Sequence, residues 1–540
     1  MKINDDFYNY DLIVIGGGIG GCAVVRDASL RGIRSILIEK DDIGSGAGEK
    51  ASGIIDGDIS FDIKREFIET SAVENGYLQY SASHLLSRIP MLLPVYDIGE
   101  KYFFDKIETI LGLYDKYAKY KNTKKYKKLS QKDTSCLYPG ISDKTDGALA
   151  YDEWSVDVSR LALLNALDAY EHGAVISTHT EVKDIVFENG KVREVEVFDK
   201  LSRRLYKIKG RFVVNATGAW SDIFLKKFDI DFNVKKRKEI NLVLERNISN
   251  YGLNIFAGRN KNFYMIPRLG KTVLGGKSGE YFGNPENITV NKEEISYILN
   301  NIERIVPDIK KHRIINAYSG IRPFGDNNEK GFLIVNHKDR ADNLYTALSF
   351  NLTSFRLMAE TLVDEINKKF KTQHESATVS PLPGAEGEVD IRELSYEYKL
   401  SFFTLNRLYK KYGKRIYIIL NMIKNENFLK TTVCKCQSVT EAEIRYAVKY
   451  EFARTIDDIK RRTHATLGTC GGMRCRSRIS EILKEELNLD ILEVRKNLKT
   501  VLQKRFEVDR VILNAKYSLQ QAEIDMADNI LINNLDLFRY

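Results

Sequence analysis

The sequence predicts an α/β fold that opens with a Rossmann-type nucleotide-binding unit and closes with a small helical, cysteine-bearing segment. Three observations predict it. Residues 11–40 read "DLIVIGGGIGGCAVVRDASLRGIRSILIEK", a strand–glycine–helix–strand pattern. Residues 211–222, "RFVVNATGAWSD", form a second apolar strand that runs into a glycine turn. Four of the six cysteines, Cys434, Cys436, Cys470 and Cys475, fall in one short C-terminal stretch. At 540 residues the chain is long enough for several domains and a large core.

Asp11 to Ile15 is a short buried strand by composition. Gly16, Gly18 and Gly21 give G-x-G-x-x-G, and residues 19–31 carry small and apolar side chains at helical spacing. Arg34 to Ile38 is a second apolar strand, ended by Glu39 with Lys40 beside it. Gly16 permits the tight turn, Gly18 lets the backbone approach a pyrophosphate, and Gly21 lets helix and strand pack closely. The helix N-terminus offers unpaired N–H groups to phosphates. Glu39 stands where a carboxylate binds ribose hydroxyls. Strand, glycines, helix, second strand and terminal acid agree on a dinucleotide. One such unit at the start of a long chain, with no second fingerprint, favours FAD over NAD. The 211–222 segment resembles the return to the FAD domain in two-domain flavoproteins. There Gly218 and Ala219 approach the cofactor, and Val182 meets the adenine through its backbone.

The rest of the chain sets bounds. No apolar run nears the roughly 18 residues that span a bilayer, and the N-terminus lacks a signal-peptide pattern. The expected compartment is the cytoplasm, where thiols stay reduced, so a metal site is preferred to disulfides. The net charge is +9, with both signs interspersed. The one basic run, residues 116–132, reads as a solvated surface; a partner, a membrane or nucleic acid is the alternative. Residues 378–390, "TVSPLPGAEGEVD", mark an exit from the first core. Residues 391–430 read as helical.

The cysteines are spaced C-x-C, 33 residues, C-x4-C. Structural zinc sites favour C-x2-C knuckles, whereas four thiolates also suit a [2Fe–2S] cluster. A site that has lost its metal is a third reading. Thr440 followed by acids predicts a capped helix, "TEAEIRYAVKY", and "TIDDIKRRT" reads as a second short helix. Gly468, Gly471 and Gly472 let the backbone bend around the second pair. The segment resembles the bacterioferritin-associated-ferredoxin-like [2Fe–2S] domains. Cys22 reads as a small core residue.

Taken together, these motifs resemble the FAD-dependent glycerol-3-phosphate dehydrogenases among the D-amino-acid-oxidase-like flavoproteins, most of all the A subunit of the anaerobic enzymes. The segments that carry it are "GGGIGGCAVVRDASLRGIRSILIEKDDIGSGAG", "WSVDVSRLALLNALDAYEHGAVISTHTEV", "INAYSGIRPF", "FRLMAETLVDEI" and "PLPG", in the family's order. The resemblance implies a core over residues 1–375, with an FAD domain at about 1–75, 150–225 and 310–375. A mixed-sheet substrate cap fills the remainder. A helical segment at 376–430, the [2Fe–2S] domain at 431–487 and a helical tail at 488–540 follow.

It further implies oxidation of glycerol 3-phosphate to dihydroxyacetone phosphate, with electrons leaving through the [2Fe–2S] centre. The acceptor is a partner, an iron–sulfur or membrane-anchoring subunit, which can hold the chain at the inner face of the membrane. Arg322 matches the family's phosphate arginine; Arg356 and Lys277 are further substrate candidates, and Arg268 and Lys271 can supply replacement cations. Other positions depart from the family. Asp56, Ser60 and Phe61 stand where it has histidine, arginine and tyrosine, and Ser349, Phe350 and Asn351 replace Gly-Gly-Lys. Each lost charged hydrogen bond to phosphate costs about 1.5–3 kcal/mol. A 2-hydroxy acid such as 2-hydroxyglutarate, a secondary amino acid, or a redox protein without turnover are therefore competing readings. No histidine stands where a catalytic base is expected; His312 and His337 are the alternatives.

Overall fold

The computed structural model describes residues 8–55, 65–99, 102–117, 120, 122–258, 261–325, 331–370 and 374–512. Asp56, Ser60 and Phe61 lie outside these residues, as does the side chain of Lys277.

The first sheet is the α/β one. Its spatial order is Phe332–Asn336, Leu344–Ser349, Arg204–Asn215, Tyr8–Ile15, Ser35–Ile38 and Val175–Ser177. All neighbours are parallel except the first pair. Side chains alternate across a strand, so Leu12 and Val14 enter one core and Ile13 and Ile15 the other. Burial on both faces is why the opening strand reads as an unbroken apolar run. On one face the helix Ile19–Leu30 packs between Val158–Glu171 and Phe355–Asn367. The last buries Phe355, Met358, Leu362 and Ile366 at helical spacing. On the other face lies the hairpin Thr180–Glu188 with Lys191–Asp199.

The second sheet is mixed, with nine strands among the described residues. Ile314–Pro323, Lys236–Leu244, Lys271–Glu280, Asn262–Arg268 and Gly252–Phe256 form an antiparallel half. It continues through a parallel pairing into Ser87–Val95, then Gly147–Ser155. Because Ile314–Pro323 belongs to this sheet, the first sheet resumes only at Phe332. Part of the basic run forms the strand Lys127–Ser130 on Gly147–Ser155, where Lys128 pairs with Glu108 at 2.7 Å.

The exit segment is pinned to the first core. Arg26 pairs with Asp168 at 2.5 Å and donates to the carbonyls of Thr378 and Ser380. The helices Phe402–Tyr412 and Ile416–Asn425 then form a hairpin around Gly413. A Cβ at Gly413 would fall 1.9 Å from the Gly384 carbonyl oxygen at φ +54°, so only glycine fits. This hairpin packs on Glu441–Tyr450, with Tyr412 edge-on to Tyr446 and Arg407 bidentate to Glu443. Both helices expected after the first cysteine pair are present, each opened by a capping box: Thr440 with Glu443, and Thr455 with Asp458.

Candidate functional site

The glycines of the opening turn have separable tasks. Gly16 has φ +110°, and a Cβ there would lie 2.6 Å from the Ala216 carbonyl oxygen. A Cβ on Gly21 would lie 2.0 Å from the Gly16 carbonyl oxygen. These two contacts are internal to the fold. Gly18 is different: as N-cap of Ile19–Leu30 it faces open space, with nothing within 4 Å of an added Cβ. That space belongs to a cavity of about 2020 Å³, above the roughly 300–1,000 Å³ of an ordinary ligand pocket. Gly16, Gly18, Glu39, Lys40, Val182, Gly218 and Ala219 all line it. Gly21 does not, as its packing role requires.

Around the cavity the other predicted cofactor residues take defined places. Glu39 accepts from the N–H groups of Gly17 (2.5 Å) and Asp41 (2.8 Å), and burial pushes its carboxyl up. Val182 is buried in the hairpin core. Gly218 has φ +61° with open space beside it. Lys40 pairs with Glu286 and sits 5.6 Å above the Trp220 ring. The cradle therefore fits a long dinucleotide. Its lining joins a helix N-terminus, which attracts phosphate, to glycine gaps and a carboxylate of the kind that binds ribose hydroxyls.

The cap side of the cavity is lined by Lys50, Arg268, Lys271, Tyr318 and Gly320. Arg268 donates to the carbonyl oxygens of Ala51 (3.0 Å) and Ser52 (3.1 Å). Lys50 lies 5.8 Å from the Tyr318 ring, and burial beside Lys460 holds its ammonium below the usual range against the pull of Glu49.

Arg322 is placed otherwise than the phosphate role requires. It sits opposite Arg237 on paired strands, donates to Glu239 at 2.7 Å and to the Phe350 carbonyl at 2.9 Å, and does not line the cavity. Arg356 is locked between Glu74 and Glu360, also away from the cavity. Ser349 lines the cavity, whereas the Phe350 ring lies against Gly325. His337 bonds Thr346 at 2.7 Å, and burial lowers it; neither it nor His312 lines the cavity.

Two other histidines do line it. His464 meets Asp157 at 2.6 Å; burial and the nearby Lys411 outweigh that carboxylate and hold the imidazole down at about 4. His179 meets Asp458 at 3.0 Å, whose carboxylate raises it against the effect of burial. Neither is legible in the sequence, because their carboxylate partners lie hundreds of residues away.

The four cysteines converge as two pairs. Cys436 and Cys470 approach to 3.8 Å, Cys436 exposed and Cys470 half-buried. Cys434 and Cys475 are buried and share a hydrogen bond. That bond, with backbone N–H groups of Thr466, Gln437 and Cys436, lowers the Cys434 thiol. Among the described residues no group of three or more His, Cys, Asp or Glu side chains is gathered closely enough to hold a metal ion. The four thiols thus stand as two pairs and not as one gathered ligand set. Cys22 is buried, its thiol 3.4 Å from the Gly17 carbonyl, as a core residue.

The family profile of FAD-dependent oxidoreductases matches residues 11–365. The chain belongs to that family. The profile of the C-terminal domain of alpha-glycerophosphate oxidase matches residues 376–493 of this flavoprotein. Over 492 residues it is 27% identical to the A subunit of the anaerobic glycerol-3-phosphate dehydrogenase of Haemophilus influenzae, covering 88% of this chain and 84% of that one. The corresponding A subunit of Escherichia coli is also 27% identical, over 526 residues and 94% of both chains. The glycerol-3-phosphate dehydrogenase of Bacillus halodurans, solved with FAD, superposes with a TM-score of 0.75 at 22% identity, over 93% of this chain and 95% of that one. An L-proline dehydrogenase from P. horikoshii superposes at 0.54 and 19% identity, over 69% of this chain and 96% of that one. These structures share the fold. No helix among the described residues is long and apolar enough to cross a membrane.

Proposed function

We propose that this flavoprotein oxidises glycerol 3-phosphate to dihydroxyacetone phosphate and delivers the electrons, through a [2Fe–2S] centre, to a partner protein rather than to oxygen. The observation that carries the reading is the pairing of Cys434 with Cys475 and of Cys436 with Cys470. It occurs in a chain similar to anaerobic A subunits along nearly its whole length. Bound FAD supplies a two-electron acceptor, and the cluster a one-electron relay.

The protein's own part is placement and charge. Gly18, Gly218 and the helix N-terminus hold the dinucleotide, and Glu39 orients its ribose. Arg268, with Lys50 and Lys271 beside it, is the cation that receives the substrate phosphate. It lines the cavity and its bonds go to carbonyl oxygens, whereas Arg322 is already engaged by Glu239. Cys436, exposed, and the half-buried Cys470 form the outer edge of the cluster site, so the partner, an iron–sulfur or membrane-anchoring protein, meets the chain there.

Because Arg322 is turned to Glu239, fewer cations face the cavity than a phosphate pocket would use, which favours a second reading, a smaller carboxylate substrate such as a 2-hydroxy acid or a secondary amino acid. A planar guanidinium recognises carboxylate and phosphate alike. Anaerobic steady-state assays with an artificial acceptor separate the two. Turnover with glycerol 3-phosphate and none with 2-hydroxyglutarate or proline supports the first, and the reverse supports the second.

A further inference from the structure

The loop that follows Glu39 forms one wall of the cofactor groove, with Ser45 to Lys50 lining the cavity. Its backbone is held by short-range turns, Ser45 N–H to the Asp42 carbonyl and Lys50 N–H to the Ala47 carbonyl, and by bonds to its surroundings: Gly44 N–H to the Gly17 carbonyl, Ser159 to the Gly44 carbonyl, His179 N–H to the Asp41 carbonyl and Asn241 to the Lys50 carbonyl. The carboxylates of Asp42 and Glu49 are held by the helix Ile456–Thr463, more than 400 residues later in the chain. Asp42, fully buried, accepts Arg461 Nε at 2.6 Å and both terminal nitrogens of Arg462 at 2.6 and 2.8 Å. At the other end of the loop Glu49 accepts Arg461 at 2.9 Å and Lys460 at 2.8 Å. One arginine therefore bonds both ends of the loop, and a second doubles the grip on Asp42.

Buried ion pairs of this kind add little net stability, because desolvation offsets the attraction, but losing one partner strands a charge and disturbs the geometry. A loop held in place before its ligand arrives binds that ligand more tightly, since ordering it no longer opposes association.

We propose that the helix Ile456–Thr463 is a clamp that preorganises the 41–50 loop for the dinucleotide, so that Arg461 and Arg462 are positioning residues of the FAD site supplied by the C-terminal domain. Neither arginine need touch FAD. The inference rests on FAD occupying the groove described above. By linkage, FAD in turn holds the clamp helix on the flavin domain.

The test is FAD binding to the deflavinated full-length protein, followed by quenching of flavin fluorescence, with far-UV circular dichroism to establish folding. Arg462→Gln and Asp42→Asn are expected to raise the Kd for FAD at least tenfold. Arg445→Gln, which removes ion pairs to Glu441, Glu485 and Glu486 inside the C-terminal domain, is expected to leave it unchanged. Folded Arg462→Gln and Asp42→Asn proteins with wild-type Kd values would overturn the clamp. If neither variant folds, hydrogen exchange on the wild-type protein decides. FAD is expected to slow exchange at the amides of residues 456–463 at least tenfold while leaving those of 402–412 unchanged. Equal exchange at 456–463 with and without FAD would overturn the proposal. A wild-type protein that binds no FAD would remove the cofactor reading itself, and the clamp with it.

Discussion

Gly18 and Gly21 stand three residues apart in one turn, and the structure predicts opposite consequences for the same substitution. At Gly21 an added methyl meets the Gly16 carbonyl oxygen at 2.0 Å, a backbone atom that cannot move without displacing the turn. Overpacking of that order costs about 1–3 kcal/mol or more. Gly21→Ala should lower stability by that amount, with FAD affinity falling as a secondary effect. At Gly18 the methyl meets nothing within 4 Å, and φ −70°, ψ 175° suits any residue. Alanine is a poorer N-cap than glycine, while the unfolded chain loses freedom, so the net change is within about 1 kcal/mol. The methyl does occupy the space through which a pyrophosphate approaches the helix end. Gly18→Ala is therefore expected to fold normally and to raise the Kd for FAD tenfold to a hundredfold, about 1.4–2.8 kcal/mol. Urea unfolding of the deflavinated proteins and FAD titration of each check the pair. A Gly18→Ala protein that binds FAD like the wild type would refute the assignment of this gap to the pyrophosphate.

Three further outcomes are expected. Arg268→Gln should lower kcat/KM for glycerol 3-phosphate by about 10- to 100-fold, mostly through KM, the loss of one charged hydrogen bond of about 1.5–3 kcal/mol; the FAD content should not change, and the same loss in Arg322→Gln alone would reassign the phosphate. Replacing Cys434 by Ser should abolish the iron and acid-labile sulfide of protein purified without oxygen while leaving flavin bound, whereas Cys136→Ser should change neither. His84 and His464 are both held down at about 4 by burial, His84 with neither ring nitrogen hydrogen-bonded. The stability tied to their neutral rings is fully present above the unfolded value near 6.5 and is lost as pH falls toward 4, on the order of 3 kcal/mol for His84 and less for His464, whose protonated ring Asp157 holds, so urea midpoints should fall across that window. His179, which is raised, works in the opposite sense: its share is fully present below the unfolded value and is lost as pH rises above it.

The opening unit was legible because its signals are local. An apolar strand buried on both faces, glycines at fixed offsets and a terminal acid lie within about thirty residues, and the structure places Gly16, Gly18, Glu39 and the return at Gly218 on one cavity. The two helices near the cysteines were legible for the same reason, Thr440 bonding within its own first turn as its place before acids predicts, while the capping box at Thr455 is added by the structure. The cap side was not. Whether an arginine faces a ligand or a carboxylate depends on cross-strand register, and Arg322 falls within reach of Glu239 only through the pairing of Lys236–Leu244 with Ile314–Pro323. The clamp was hidden more deeply. "RR" after "TIDDIK" looks like a solvated helix end, and only the docking of the C-terminal domain buries Arg462 against Asp42.

An anaerobic titration of the purified protein with glycerol 3-phosphate, followed by flavin absorbance and by electron paramagnetic resonance on frozen samples, probes substrate and electron route together. Bleaching of the flavin band is expected together with the signal of a reduced [2Fe–2S] centre, with loss of that signal alone in Cys434→Ser. A flavin band that stays intact at saturating glycerol 3-phosphate would contradict the substrate, and bleaching without any iron–sulfur signal in iron-replete protein would contradict the electron route.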